Sequence, residues 1–370
     1  MATIALTEER TTGSASALRP GPLFVVGMWR SGTSLLYALL NQHSQISLMY
    51  EAELPVLKPL FMLRGGKSDW TKRWNFWNSA LDRHQIPADE IPDSVKDLPS
   101  AVRAVYGQYA LRKGATIWGG KSPNYYDSLE RLAEEFPQAQ FIVIWRDPAD
   151  ICRSILRAAE KDTWFSKRGI THRALFGVER MKQECDRLVS RGVAVHQINY
   201  EDLIYRPADL MEGICRFLAI PFEKRMASLE GADRSAIYDG EHHEGVKSEK
   251  IAGKKRRPEV LPGALKSKIQ RYTSFWRTQY GGAWPPASGD VQGEPVKMPG
   301  TLERVRDRLL FLAFRTLDAA VVYVYCFAPL WLLGKYRASK SQNRVASNAQ
   351  ETQPVGSVST EQVKLNPRHQ

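Results

Sequence analysis

The sequence predicts an α/β protein with a central parallel sheet covered by helices. Three observations carry this: apolar runs of strand length without polar alternation, turn chemistry after each run, and helical apolar spacing after each turn. The first run, Leu23 to Val26, closes at Gly27 and precedes Leu35, Leu36, Leu39 and Leu40. The second, Phe141 to Trp145, ends in Arg-Asp-Pro and precedes Ile151, Ile155 and Leu156. The third, Val193 to Ile198, precedes Pro207, where a helix can start, and Leu210, Ile214, Phe217 and Leu218 form one face. A shorter candidate, Thr116 to Trp118, runs into Gly119, Gly120 and Lys121. Ligands gather at the carboxyl ends of strands in such sheets.

The chain has 370 residues, 52 Lys and Arg against 40 Asp and Glu for a formal charge of +12, and 43% apolar residues, which excludes a disordered or fibrous polymer. It is long enough to bury a large core as one domain with appendages or as two domains. Cysteines at 152, 185, 215 and 326 lack the density or paired spacing of a disulfide framework or zinc site, so a reduced, cytoplasmic setting is expected. Residues 1–20 carry Glu8 and Glu9 and no apolar core, and are expected to be a disordered leader rather than a secretory signal. Residues 281–300, with five Gly and four Pro, read as a linker after a domain over 21–280. An apolar helical segment is expected over 301–340 and a polar, disordered tail over 341–370.

After the first strand comes Gly27-Met-Trp-Arg-Ser-Gly32-Thr33-Ser34. The Gly-x4-Gly spacing before a helix copies a phosphate loop, in which backbone N–H groups and a helix N-terminus surround an anion. The Lys that a nucleoside triphosphatase needs is replaced by Thr33. The charge has moved to Arg30, which can grip two oxygens. The second strand ends in Arg146, where a metal-holding Asp would stand. The implied ligand is an anionic nucleotide handled without a metal; a glycine-bearing turn that binds nothing is the alternative for the loop alone.

GMWRSGTSLLYALLNQHSQI resembles the 5′-phosphosulfate loop of sulfotransferases that use 3′-phosphoadenosine-5′-phosphosulfate (PAPS), and FIVIWRDPADICRSIL resembles their 3′-phosphate motif, with Arg146 and Ser154 eight residues apart. Lys121-Ser-Pro, Phe136-Pro137 and Tyr200-Glu-Asp-Leu203 follow in the order of that family, and the likeness covers roughly residues 21–220. Glu51, 21 residues after Arg30, resembles the catalytic Glu of the branch shared by tyrosylprotein sulfotransferases and many bacterial enzymes. The resemblance implies a P-loop NTPase-like three-layer fold, PAPS as cosubstrate, no metal, and a hydroxyl-bearing acceptor: sugar, lipid, phenol or peptide Tyr.

The residues support the second motif independently. Arg146 leaves the strand at the sheet's carboxyl edge, Pro148 suits a first helical turn, and Ser154 is expected to face back toward Arg146 for a phosphate dianion. In the other reading Arg146 pairs with Asp147 or Asp150. Sulfuryl transfer needs an in-line nucleophile and a neutralised leaving phosphate. Expected roles are Glu51 as general base, Arg30 and Lys121 neutralising charge, and Ser31, Gly32, Thr33 and Ser34 holding the 5′-phosphate. Glu53 competes with Glu51 as the base, His43 reads as structural, Tyr200 is the family's aromatic near adenine, and Cys152 a small buried residue.

Residues 247–277 hold ten Lys or Arg against two Glu; Lys254, Lys255, Arg256 and Arg257 resemble the family's nucleotide lid, or form a solvated surface. Nucleic-acid binding would need aromatics interleaved for stacking, whereas Tyr272, Phe275 and Trp276 follow the run and read as one helix face, so no nucleic-acid partner is expected. Within 309–334 the uncharged part, 319–334, is short of the ~20 residues of a spanning helix, and Arg315 and Asp318 are expected to pair along it. Its basic flanks with Tyr323, Tyr325 and Trp331 favour an anionic membrane surface, over a homodimer contact or its own domain. Trp70, Trp74, Phe76 and Trp77 form core or an acceptor pocket. The alternatives to a sulfotransferase are a P-loop phosphotransferase and an inactive nucleotide-binding membrane scaffold.

Overall fold

The computed structural model describes residues 18–62, 66–160, 164–167, 169–237, 246, 251, 261–281, 284–286 and 297–336. The proposed lid residues 254–257 lie outside them, as do most of 281–300.

Five parallel strands form one sheet: β1 (Leu23–Val26), β2 (Ile46–Tyr50), β3 (Ile117–Lys121), β4 (Gln140–Trp145) and β5 (Val195–Asn199), ordered β2-β3-β1-β4-β5. The runs have no polar alternation because both faces are covered. Phe24, Val26, Phe141, Val143 and Trp145 enter one core cluster, while Leu23, Val25, Ile142, Ile144 and Ile198 enter another on the opposite face. Burying each such side chain contributes about 1.5–3 kcal/mol.

Helices α1 (Thr33–Leu40), α2 (Lys67–Asn78), α3 (Ala80–Arg83), α4 (Leu98–Val102), α5 (Gln108–Arg112), α6 (Leu129–Glu135), α7 (Pro148–Ala159), α8 (Ile170–Ser190), α9 (Tyr200–Tyr205) and α10 (Pro207–Leu218) lie between or after the strands. Two strand assignments differ from the sequence reading. β2, all five residues buried, was not anticipated, because ISLMY is short and interrupted by Ser47. β3 continues through Gly119 and Gly120 to Lys121. Those glycines looked like a turn but allow close pairing: Gly119 has φ 150°, and a Cβ there would lie 2.0 Å from the Leu23 carbonyl oxygen.

After α11 (Gly263–Tyr280), Trp284 is tucked against Trp145 and Trp276, so the breaker-rich stretch is anchored at that point. Helix α12 (Thr301–Phe327) is one compact unit with the sheet domain, and by length and composition alone could cross a membrane. Several of its charged residues bond to the domain. Arg308 Nη2 donates to Glu179 Oε1 at 3.0 Å, Arg271 pairs with Glu303, and buried Asp307 accepts from Lys268 Nζ at 2.8 Å and the Tyr272 hydroxyl at 3.0 Å. The expected Arg315–Asp318 pair does not form. Arg315 Nε donates to Asp127 Oδ2 at 2.8 Å, and Asp318 pairs with Arg173, because docking offers each a partner from the domain. Residues 328–336 belong to a second unit.

Candidate active site

The carboxyl end of every strand delivers one part of the site: the loop 27–32 after β1, Glu51 after β2, Lys121 at the end of β3, Arg146 after β4 and Tyr200 after β5. The loop turns at Met28, whose carbonyl accepts from Ser31 N at 3.0 Å, and enters α1 through Gly32 at φ 100°. Only glycine fits there, since a Cβ would lie 2.5 Å from the Tyr200 ring. No side chain caps α1, which leaves its first amides suited to an anion. Ser31 Oγ is buried without a hydrogen-bond partner.

Arg30 and Arg146 meet across the loop. Arg146 Nη1 donates to the Arg30 carbonyl at 2.6 Å, and its guanidinium lies 4.1 Å from the Tyr200 ring centroid. Its Nε is buried and unpartnered. Arg30 Nε donates to Ser154 Oγ at 3.0 Å. Ser154 therefore faces the cluster but holds Arg30; the expectation had aimed it at Arg146. Burial, reinforced by Arg146, lowers the Arg30 guanidinium to about 10. Arg146 is not taken by the neighbouring acids: Asp147 caps α7 by accepting from Ala149 N at 2.7 Å, and Asp150 accepts from Arg153 at 2.6 Å. Half-buried cations, with the Arg146 Nε donor unused, make a site for anionic oxygens.

On the other side of the loop, Lys121 Nζ lies 2.5 Å from Glu51 Oε1 and donates to Ser34 Oγ at 3.3 Å. Ser34 Oγ shares a 2.8 Å hydrogen bond with the Tyr50 hydroxyl, whose ring lies under the ammonium at 4.3 Å. Lys121 is only 1% exposed, so burial pushes its pKa down while Glu51 pushes it up. Thr33 is buried at the start of α1.

Glu51 and Glu53 both adopt left-handed backbone, at φ 45° and 60°, as does Arg30 at 67°. Such conformations cost of order 1–3 kcal/mol each and need surrounding structure to hold them. For Glu51 that structure is a ring of donors: Asn78 Nδ2 and Arg83 Nη2 donate to its carbonyl at 2.7 and 3.1 Å. His84 Nε2 donates to the preceding Tyr50 carbonyl at 3.0 Å, and burial lowers its imidazole to about 4. The Glu53 carboxylate accepts from Trp77 Nε1 at 2.7 Å, Asn124 Nδ2 at 2.5 Å and Ser122 Oγ at 3.1 Å. Its pKa rises through burial, opposed by these bonds.

The sequence reading missed Asn78, Arg83 and His84. The only signal was polar residues at the tail of the aromatic run. Trp70 and Trp74 are core, Trp74 Nε1 donating to the Ala52 carbonyl at 2.6 Å, and Trp77 supports Glu53. Both ring nitrogens of His43 are used structurally, Nε2 donating to the Pro221 carbonyl at 2.8 Å and Nδ1 accepting from Gln45 N at 3.0 Å. Cys152 is buried in α7, and burial pushes its thiol up to about 12.

A parallel sheet with helices on both faces, a glycine-bounded anion loop after its central strand and a second Arg-hydroxyl cluster one strand away define a sulfotransferase-type protein. The profile of the Sulfotransferase family matches residues 22–224, more than half the chain, and this chain belongs to that family. Among curated proteins it is 27% identical over 205 residues to Protein-tyrosine sulfotransferase 1 of Danio rerio, covering 54% of this chain and 53% of that one. It is 31% identical over 151 residues to Nodulation protein NoeE of Sinorhizobium fredii, covering 39% and 32%. The chain thus spans about half the length of the Danio rerio protein. The sulfotransferase domain from the curacin biosynthetic pathway aligns at a TM-score of 0.48 and 20% identity, over 70% of this chain and 99% of that one.

Proposed function

We propose that the protein transfers a sulfuryl group from PAPS to an acceptor hydroxyl, without a metal. The carrying observation is the contact between the two anion clusters, Arg146 Nη1 to the Arg30 carbonyl at 2.6 Å, which suits one nucleotide with phosphates at both ends. The buried, unpartnered Ser31 Oγ and Arg146 Nε fit such a ligand as donors.

In this reading Ser31, Gly32, Thr33 and Ser34 hold the 5′-phosphate, Arg146 and Ser154 the 3′-phosphate, and Tyr200 supports Arg146 beside the nucleoside. PAPS supplies the activated sulfur. Glu51 takes the acceptor's proton as its oxygen bonds to sulfur. The bond from sulfur to the 5′-phosphate oxygen breaks, and Lys121 and Arg30 neutralise the charge left on that oxygen and on the sulfuryl group. Glu51 is preferred to Glu53 because three donors already occupy the Glu53 carboxylate, whereas Glu51 stands beside Lys121 at the strand ends. The enzyme works in the cytoplasm, at the inner face of the membrane.

Thermal shift tests the reading. At ~100 times its dissociation constant a ligand adds about 2.7 kcal/mol of stability. 3′,5′-Diphosphoadenosine is expected to raise Tm well above ADP or magnesium-ATP. A larger shift with magnesium-ATP would make the protein a phosphotransferase instead, and binding without transfer to any acceptor a scaffold.

A further inference from the structure

Helix α12 docks on the domain through Phe311, Val322, Cys326 and a set of ion pairs, and carries a second apolar face that the domain does not cover. Glu303, Asp307, Arg308, Arg315 and Asp318 are ion-paired to the domain, while Leu302, Leu309, Leu312, Leu317, Val321 and Val324 are exposed. At its N-terminal end a groove lined by Phe275, Met298, Arg304 and Arg308 adds the Arg304 guanidinium beside the apolar face, Arg308 being paired with Glu179. Arg306 is also largely exposed there, while pairing with Asp307. A face that is apolar along its length and cationic at one end matches an anionic leaflet. Crossing the bilayer would require breaking the five ionic links, so the helix lies in the membrane plane.

The same helix flanks the acceptor side of the site. Asp318 pairs with Arg173, whose guanidinium lies 5.2 Å from the ring of Trp29 in the phosphate loop. Seven residues on, about 10 Å along the helix, the Tyr325 ring meets Trp77 at 5.0 Å, and Trp77 holds Glu53, two residues from Glu51. Helix α12 also packs on the turn Lys58–Phe61. Tyr325, Trp77 and the turn Lys58–Phe61 lie toward β2, while α12 also packs on α8, which itself packs on α7 and β5; Arg146 and Tyr200 follow β4 and β5.

We infer that the acceptor hydroxyl is carried by a lipid of the leaflet on which α12 lies, so that the β2 side meets the membrane and the nucleotide side stays in water. This rests on the sulfotransfer reading above. The acceptor oxygen forms its bond to sulfur as its proton passes to Glu51, and 3′,5′-diphosphoadenosine leaves.

The test uses the full chain. Binding to vesicles of phosphatidylcholine with phosphatidylglycerol should exceed binding to phosphatidylcholine alone by at least 10-fold, and Leu309→Asp with Leu317→Asp should abolish it. The described cysteines are buried, so an environment-sensitive label on Met62→Cys should shift on vesicles, and one on exposed Tyr205→Cys, on the β5 side, should not. With radiolabelled PAPS and the membrane and soluble fractions of the source cells, label should enter solvent-extractable lipid and fall at least 10-fold in the double Asp variant. Unchanged vesicle binding by that variant, or its conversion of a dimer to a monomer without vesicles, would overturn the docking surface. Label confined to peptides or water-soluble molecules would overturn the acceptor class, as would unlabelled lipid while 3′,5′-diphosphoadenosine still binds. Failure to bind 3′,5′-diphosphoadenosine would instead sink the sulfotransfer reading.

Discussion

The β1–β4–β5 side and the β2–β3 side of the site treat charge in opposite ways. On the first, Arg30 and Arg146 are half-buried cations without a carboxylate between them, and Ser31 Oγ and Arg146 Nε have no partner. On the second, Glu51 balances Lys121 and Glu53 takes three donors. One side is arranged to receive charge from a ligand. The other neutralises itself and spends strained backbone on holding a carboxylate in place. That division fits a reaction in which a dianionic leaving group needs external charge and an acceptor hydroxyl needs only a fixed base.

The largest effect that would break the contrast is on turnover. Glu51→Gln or Lys121→Ala should lower kcat by ~100-fold or more, with 3′,5′-diphosphoadenosine affinity in Glu51→Gln within a few-fold of the parent protein by calorimetry. Glu53→Gln should retain more activity than Glu51→Gln, and the reverse order would exchange their roles.

The second effect is on pH. The unfolded His84 imidazole binds its proton near pH 6.5 and the folded one only near 4. Between these values the unfolded state holds more protons, so stability is full above pH 6.5 and falls as pH drops toward 4, by about 3 kcal/mol. Denaturant titrations across that window should show a shallower fall in His84→Gln, which cannot titrate but can still donate to the Tyr50 carbonyl.

On the nucleotide side, Arg146→Ala should weaken 3′,5′-diphosphoadenosine binding by about 10- to 100-fold, the scale of a lost hydrogen bond to a charged group, with a smaller change in kcat at saturation. A mainly kcat effect would move Arg146 to the reacting centre. Smallest of all, Ser31→Ala should weaken binding by about 10-fold or less, since a neutral donor is worth about 1 kcal/mol, and should leave the apo protein's Tm nearly unchanged because its hydroxyl has no partner there.

The two anion clusters were the more legible half. Their residues sit in contiguous segments, 27–34 and 146–154, where a tight turn and a helix start impose fixed spacing. The acceptor half was less so: β2 is too short to declare itself, and the support for Glu51 comes from Asn78, Arg83 and His84, roughly thirty residues away. Arg315 and Asp318 show the same limit. Three apart on a helix they could bond to each other, yet each found a partner in the domain.

By itself the sequence determined the α/β rhythm, the glycine-bounded loop and the cations at strand ends, because these rest on local periodicity and backbone sterics. Tertiary structure alone decided which side of α12 faces the domain, that Ser154 holds Arg30, and that Glu51 stands against Lys121. Those outcomes depend on which distant donors and carboxylates arrive at the same place, and a buried charge takes whichever partner the packing presents.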